Sequence, residues 1–420
     1  MNTKFMQSNN YEYTQTRVAV IGGGAAGMMA AGTAVMYGAE VTVFESTDRL
    51  GKKLAITGKG RCNVTNNSTT EEFLENVTKN PRFLYAPLSA LSPSETITLF
   101  ESLGVKLKTE RGRRVYPESD KAKDIVDAMR SYAAGAEVIY KKVSAVSKTA
   151  SGFTVTAGGH DYSFDKVIIA TGGKSYPLTG SDGSGYKLAM RLGHTVTELI
   201  PSLIPLNSPS ELCREMQGLS LKNVKIEIKD EAEKVLYTDF GEMMFAHFGV
   251  TGPVILSASA HLRGVDISTL TLSIDLKPAL DEATLDQRLL SDFAKNNNKD
   301  LINSLGDLLP SKMIQPFITL TGVDARKKVN SITKEERKSI LDTLKGFKIP
   351  LDSFRPIEEA IVTSGGVEVK EISPKTMESK IAPGLYFAGE VIDLDAYTGG
   401  YNLQIAFSTG YLAGKSAAES

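Results

Sequence analysis

The chain has 420 residues, 41% hydrophobic and 23% charged, enough for a large core and two or three domains. Lys and Arg total 48 against 49 Asp and Glu, so no net field favours nucleic acid or an anionic membrane. The two cysteines, Cys62 and Cys213, lie far apart without a Cys-x-x-Cys, which argues against a disulfide framework, a zinc site or a dithiol centre. Residues 1–16 are polar, carry no apolar targeting core and are read as a flexible lead-in, making the cytoplasm the expected compartment.

An apolar run, Val18 to Ile21, enters Gly22-x-Gly24-x-x-Gly27, and a helical stretch follows from Met28 to Tyr37. A second apolar run, Val41 to Phe44, ends on Glu45. Strand, glycine turn, helix, strand and terminal acid in this order mark a βαβ unit that holds a dinucleotide. Gly22 permits the turn, Gly24 lets backbone N–H groups reach a pyrophosphate, and Gly27 draws the helix against the strand. The helix start, with Ala25 and Ala26, offers unpaired donors to an anion. Glu45, followed by Ser46, is placed to accept from both hydroxyls of the adenosine ribose. The uncharged run from Val18 to Ala39 has a membrane span as its alternative, which the clustered glycines oppose, so no membrane partner is expected.

The next loop carries Lys52, Lys53, Thr57, Gly58, Gly60, Arg61, Cys62 and Asn63. Its cations and side-chain donors suit a pyrophosphate or a polar ring edge; a solvated connection is the alternative. Cys62 is read as packed rather than redox-active. Helical patterns cover 93–104 and 121–132, with short strands or turns at 105–109 and 113–117, a strand at 136–140, and a three-stranded meander over 143–164. The wholly apolar strand Val167 to Ala170 belongs inside a parallel sheet, and its end, Thr171-Gly172-Gly173, allows close approach to whatever fills the crevice. Asp182 and Ser184 read as a helix cap or turn.

Residues 195–355 change character: alternating strands flank the stretch from Asp239 to Pro253, and helical segments follow from Asp281 to Lys345. This is read as an inserted β-rich domain carrying a helical subdomain, between a first part of the nucleotide domain (17–194) and a second part (356–420). A strand is expected over Ile357 to Val362. Another ends in Gly389, Glu390 and Asp393, and Gly399-Gly400 then opens a closing helix whose exposed donors would stabilise negative charge.

These segments, with Gly58-x-Gly60-Arg61-Cys62-Asn63-x-Thr65-Asn66 and Phe245-x-His247-Phe248-Gly249-x-x-Gly252-Pro253 as the specific ones, resemble the BaiN/YhiN family of NAD(P)/FAD-dependent oxidoreductases. That family, also labelled aminoacetone oxidase family FAD-binding enzyme, sits among the two-dinucleotide-binding-domain flavoproteins. The resemblance implies an α/β, Rossmann-like, glutathione-reductase-like domain with FAD as cofactor. It implies FAD contacts at Gly22, Gly24, Gly27, Glu45, the Lys52/Arg61 loop, the backbone near Val143, Gly172, and the end bearing Gly389, Glu390, Asp393, Gly400, Tyr401, Asn402, Leu403 and Gln404.

The expected activity is reduction of a C=C bond conjugated to a carbonyl in a small or ring-containing substrate, with NAD(P)H as transient reductant. His247, Tyr176, Tyr397 and Tyr401 are candidates for the proton donor, although a histidine among aromatics is often a packed core residue. Two alternatives stand beside this. One is an RNA-binding flavoprotein that reduces a uracil ring in ribosomal RNA, with basic clusters at 111–123 and 326–338; the other is an oxidase that passes electrons to O2. Oligomeric state is left open.

Overall fold

The computed structural model describes residues 15–420, so the expected lead-in falls outside the described residues up to position 14. Two compact units emerge. The first comprises residues up to Gly173, Pro177–Glu198 and Gly365–Ser420; the second comprises Lys174–Tyr176 and Leu199–Ser364. The return to the first unit, expected at 356, comes after Ser364.

In the first unit, β1 (Arg17–Ile21), α1 (Ala25–Met36), β2 (Glu40–Phe44), β3 (Glu137–Ile139), β4 (Lys166–Ile169), β5 (Leu385–Phe387) and α2 (Tyr401–Glu419) form the central frame. The strands make one sheet in the order β5-β4-β1-β2-β3, and every neighbouring pair is parallel. Strands covered on both faces read as unbroken apolar runs, as Val18–Ile21 and Val167–Ile169 do, and all of these residues are buried. Each buried Val or Ile side chain among them contributes about 1.5–3 kcal/mol on leaving water. The chain thus returns, long after leaving β4, to add β5 beside it as the edge strand of the same sheet.

α1 begins three residues earlier than its hydrophobic pattern suggests, because Gly24 already serves as its N-cap. It is apolar on all sides, as a buried helix must be. It lies close against α2, where a Cβ on Gly410 or Gly414 would sit 2.5 or 2.2 Å from the Ala26 or Ala30 carbonyl oxygen. A meander (Val143–Lys148, Phe153–Ala157, His160–Phe164) and a small sheet (Thr65–Asn66, Leu107–Glu110, Arg114–Pro117) complete the unit.

The second unit is built on a six-stranded antiparallel sheet. Its longest strand, Val235–Ala246, absorbs most of the stretch that sequence pattern places between strands. Met243 and Phe245 alternate inward while Phe240 and Met244 face outward, the period of a half-buried strand. Helices at Glu282–Lys295, Ser311–Thr321 and Lys334–Lys345 share one core with the sheet, in which Ile226, Ile274 and Phe347 meet Leu289, Phe317 and Leu344. Ile357–Glu359 is a 3-10 turn after Pro356, held by the Arg355–Glu359 ion pair, so the strand expected from Ile357 shrinks to Val362–Ser364.

Candidate functional site

The turn between β1 and α1 is fixed by backbone geometry. Gly22 has φ +107, and a Cβ there would lie 2.5 Å from the Ala170 carbonyl oxygen, so β4 meets this turn directly. A Cβ on Gly27 would lie 1.8 Å from the Gly22 oxygen, which is the close helix approach expected of that position. Gly24 faces open space, no side chain caps α1, and its first turn holds no acid. Ala25 and Ala26 therefore begin a helix whose positive end presents backbone donors that no side chain of the helix answers.

Glu45 follows β2 and is buried. Its Oε2 accepts from the Gly23 N–H at 2.9 Å, and its Oε1 accepts from the Thr47 N–H at 2.7 Å and, more distantly, from the Ser46 hydroxyl. The carboxylate is thus shared with the protein backbone rather than reserved for a ribose, although each oxygen keeps acceptor capacity. Gly180 lies beside Glu45, Ser46 and Thr47. The same loop carries Asp182, paired with Lys142, the neighbour of Val143, which is buried at the head of the meander.

The loop from Lys52 to Asn63 is not structureless: a 3-10 run covers Leu54–Gly60, with Gly58, Lys59, Gly60 and Cys62 in the left-handed region. Non-glycine residues held there mark strain of the kind that accumulates at functional sites. Lys53 Nζ meets Glu390 Oε2 at 2.7 Å, which joins this loop to the segment after β5, whereas Lys52 pairs with Asp48.

Arg61 departs from expectation. Its guanidinium is held by Glu110 and Asp120 and stacks 4.2 Å from the Tyr116 ring, so its charge is answered by carboxylates and its donors are committed to protein. Cys62 is fully buried, and burial pushes its thiol up to about 12 against a Thr57 hydrogen bond. The thiol is neutral near pH 7, and Cys213 is free, buried and in the other unit, so no dithiol exists.

Thr171, Gly172 and Gly173 continue β4. Gly172 packs against the Ser181 side chain, and its added Cβ would stand 4.0 Å from Glu390 Oε2. Gly389 is adjacent to Ala26, 2.7 Å from its Cβ by the same measure, and its N–H donates to Thr409 at 2.9 Å. The early and late glycines are therefore neighbours. The Tyr186 hydroxyl donates to the Glu390 carbonyl oxygen at 3.5 Å, and Asp393 meets Lys79 at 2.8 Å.

At the start of α2, Gly400 (φ +99) lies over Thr65, whose backbone a Cβ would meet at 2.3 Å. No side chain caps α2, and its first turn holds no acid. The side chains expected to bind here are otherwise engaged. Asn402 exchanges hydrogen bonds with the Ala396 backbone. Gln404 accepts from Thr65 at 2.6 Å and donates to Leu91, Thr96 and Ser408. Tyr401 is buried edge-on to Phe73, and burial raises its phenol. What this end offers a ligand is the backbone of the first turn, with half-buried Leu403 beside it.

Among the described residues, Asn63 Oδ1 and Thr171 Oγ1 are buried without a partner. These orphaned atoms, the open cradle at Gly24 and two uncapped helix starts in one unit fit a bound dinucleotide. Among the same residues no cluster of His, Cys, Asp or Glu is arranged to hold a metal ion, and no helix is long and apolar enough to cross a membrane.

Of the proton-donor candidates, Tyr397 is half-buried in the first unit and its N–H donates to the Asn76 carbonyl. His247 and Tyr176 belong to the second unit. His247 is not a packed core residue: it is exposed, in the tight turn between Val235–Ala246 and Gly249–Thr251, with its ring edge-on to Phe248. Tyr176 is 39% exposed at φ +53. Sequence pattern also passed over a cluster in which Tyr237 donates to Asp239 at 2.9 Å and stacks on His261. Residues this dispersed along the chain leave no spacing signal.

The model of the HI0933-like protein Rossmann domain matches residues 16–416. The chain is 32% identical to the 3-dehydro-bile acid delta(4,6)-reductase of Clostridium scindens, over 96% of this chain and 99% of that one. It is 29% identical to the ribosomal RNA dihydrouridine synthase of Escherichia coli, over 93% and 95%. Among solved structures, the 3-ketosteroid delta1-dehydrogenase of Sterolibacterium denitrificans aligns with a TM-score of 0.52 at 12% identity, over 96% of this chain and 99% of that one, a likeness of fold. The chain belongs to the HI0933-like family of Rossmann-domain proteins, and it is an FAD-dependent oxidoreductase.

Proposed function

We propose that this enzyme reduces a C=C bond conjugated to a carbonyl in a ring-containing small molecule, with NAD(P)H as the reductant. The observation that carries the reading is that Gly389 packs on Ala26 at the start of α1 while Glu390 beside it pairs with Lys53 of the early loop, in a chain 32% identical to a protein named as a 3-dehydro-bile acid delta(4,6)-reductase. FAD, when bound, supplies the hydride chemistry. The α1 start and Gly24 bind the pyrophosphate, and Glu45 orients the ribose. The first turn of α2 offers donors to negative charge on the ring. A proton must reach the carbon beside the one that receives hydride, and the exposed His247 imidazole is the preferred donor ahead of Tyr176 and Tyr397. The free, buried cysteines suit a reducing compartment, the cytoplasm.

A uracil ring in ribosomal RNA is the second reading, favoured by the names of relatives at 29% and 28% identity. Both substrates present a C=C bond next to a carbonyl. The expected RNA-binding patches are partly neutralised: Lys327, Lys328, Arg337 and Lys338 pair with Glu336, Asp300, Asp286 and Asp342, and Arg113 pairs with Glu72.

Anaerobic reduction of the yellow protein by NADH or NADPH, followed by addition of unsaturated 3-oxo steroids or of ribosomal RNA, separates the two. Return of the oxidised spectrum with a steroid and not with RNA is expected. Return with RNA alone overturns the small-molecule reading.

A further inference from the structure

We infer that Asn66 is a positioning residue for the flavin: it fixes the glycine turn that opens α2, and through that turn it sets the reduction potential of the bound cofactor. This rests on the reading that the start of α2 faces the flavin.

Two adjacent glycines with φ +127 and +99 precede the helix, the least constrained backbone a chain can offer. A donor array helps charge only if its geometry is fixed before the charge appears, so something outside the turn must hold it. Asn66 does this. The residue is 2% exposed, and its Nδ2 donates to the Gly399 carbonyl at 3.1 Å and to the Gly112 carbonyl at 3.0 Å. Both amide hydrogens are thereby used, and two loops far apart in sequence are tied to one side chain.

The anchor itself is rigid. Asn66 and Thr65 pair with Arg114 and Val115 in the small sheet. Thr65 supports Gly400 from below and hydrogen-bonds to Gln404, which is saturated by Leu91, Thr96 and Ser408. Asn402 holds the other side of the turn through Ala396 and Tyr397. Asn66 is the member of this clamp that arrives from outside α2 and grips Gly399 directly. Releasing it frees the peptide before Gly400, misaligns the first N–H groups of α2, and weakens their hold on the negative charge that reduction adds.

The test is the midpoint potential of the FAD-loaded protein, read against a reference dye, for Asn66→Leu, close in volume but without donors. The expected result is FAD still bound and a shift of about tenfold toward oxidised flavin, about 30 mV for a two-electron couple. An unchanged potential in flavin-loaded Asn66→Leu overturns the proposal. If that variant does not retain flavin, Asn66→Ser, too short to reach both carbonyls, is read in the same way.

Leu403→Glu tests the underlying reading separately, because it places a carboxylate in the first turn of α2 without touching Asn66. A lowered potential supports the helix start as the flavin end. No change removes that reading, and the role of Asn66 falls with it.

Discussion

Cys62 shows how environment overrules residue type. A thiol beside a glycine-rich basic loop invites a redox role, yet full burial and a proton held up to about 12 leave it inert. Cys62→Ala should retain flavin and turn over within about twofold of the parent, since a neutral buried thiol acts as a small hydrophobe; a steady-state assay checks it.

Glu45 carries the opposite expectation. Its carboxylate is held by the Gly23 and Thr47 N–H groups, and on the proposed reading, in which it orients the ribose, Glu45→Gln should weaken FAD binding by about 10- to 100-fold, the worth of a charged hydrogen bond. Flavin fluorescence titration measures this. His247→Gln should leave FAD binding intact and slow flavin reoxidation by substrate about 100-fold, the usual contribution of a placed general acid. Unchanged stopped-flow reoxidation would pass the role to Tyr176 or Tyr397.

At the scale of elements, the contact between α1 and α2 decides whether the two chain ends meet. Gly414 leaves no room for a Cβ, with the Ala30 oxygen 2.2 Å away. Gly414→Val should destabilise the protein by about 1–3 kcal/mol through overpacking. On the proposed reading, in which α1 holds the pyrophosphate end and α2 the ring end, flavin should also be lost. A lower melting temperature of the apoprotein together with weaker FAD binding is the expected pair of results; loss of binding at full apoprotein stability would contradict it.

For the molecule as a whole, His194 links pH to stability. Its side chain is fully buried, with Nδ1 facing Glu371 at 3.1 Å and Nε2 facing Ser379 at 2.8 Å. Burial lowers its pKa, outweighing the opposing pull of Glu371. The folded state therefore favours the neutral ring and the unfolded chain binds the proton more readily. The stabilisation is full above the ordinary histidine value near 6.5 and declines as pH falls below it toward the folded value. Urea unfolding should show a lower midpoint at pH 5.5 than at pH 7.5, and His194→Gln should flatten that slope.

The sequence by itself determined the βαβ unit, the interior strand before Thr171 and the closing helix. Each depends on local rules: apolar runs for buried strands, glycines where a turn or close approach leaves no space for a Cβ, and an uncapped helix start after them. Only the tertiary structure decided which polar groups of those motifs remain free for a ligand. Arg61 is spent on Glu110 and Asp120, Gln404 on Thr65 and its neighbours, and Asn66 grips Gly399 across 333 positions. A hydrogen bond is satisfied in space, not along the chain, so the motif named the right region while the fold assigned the partners.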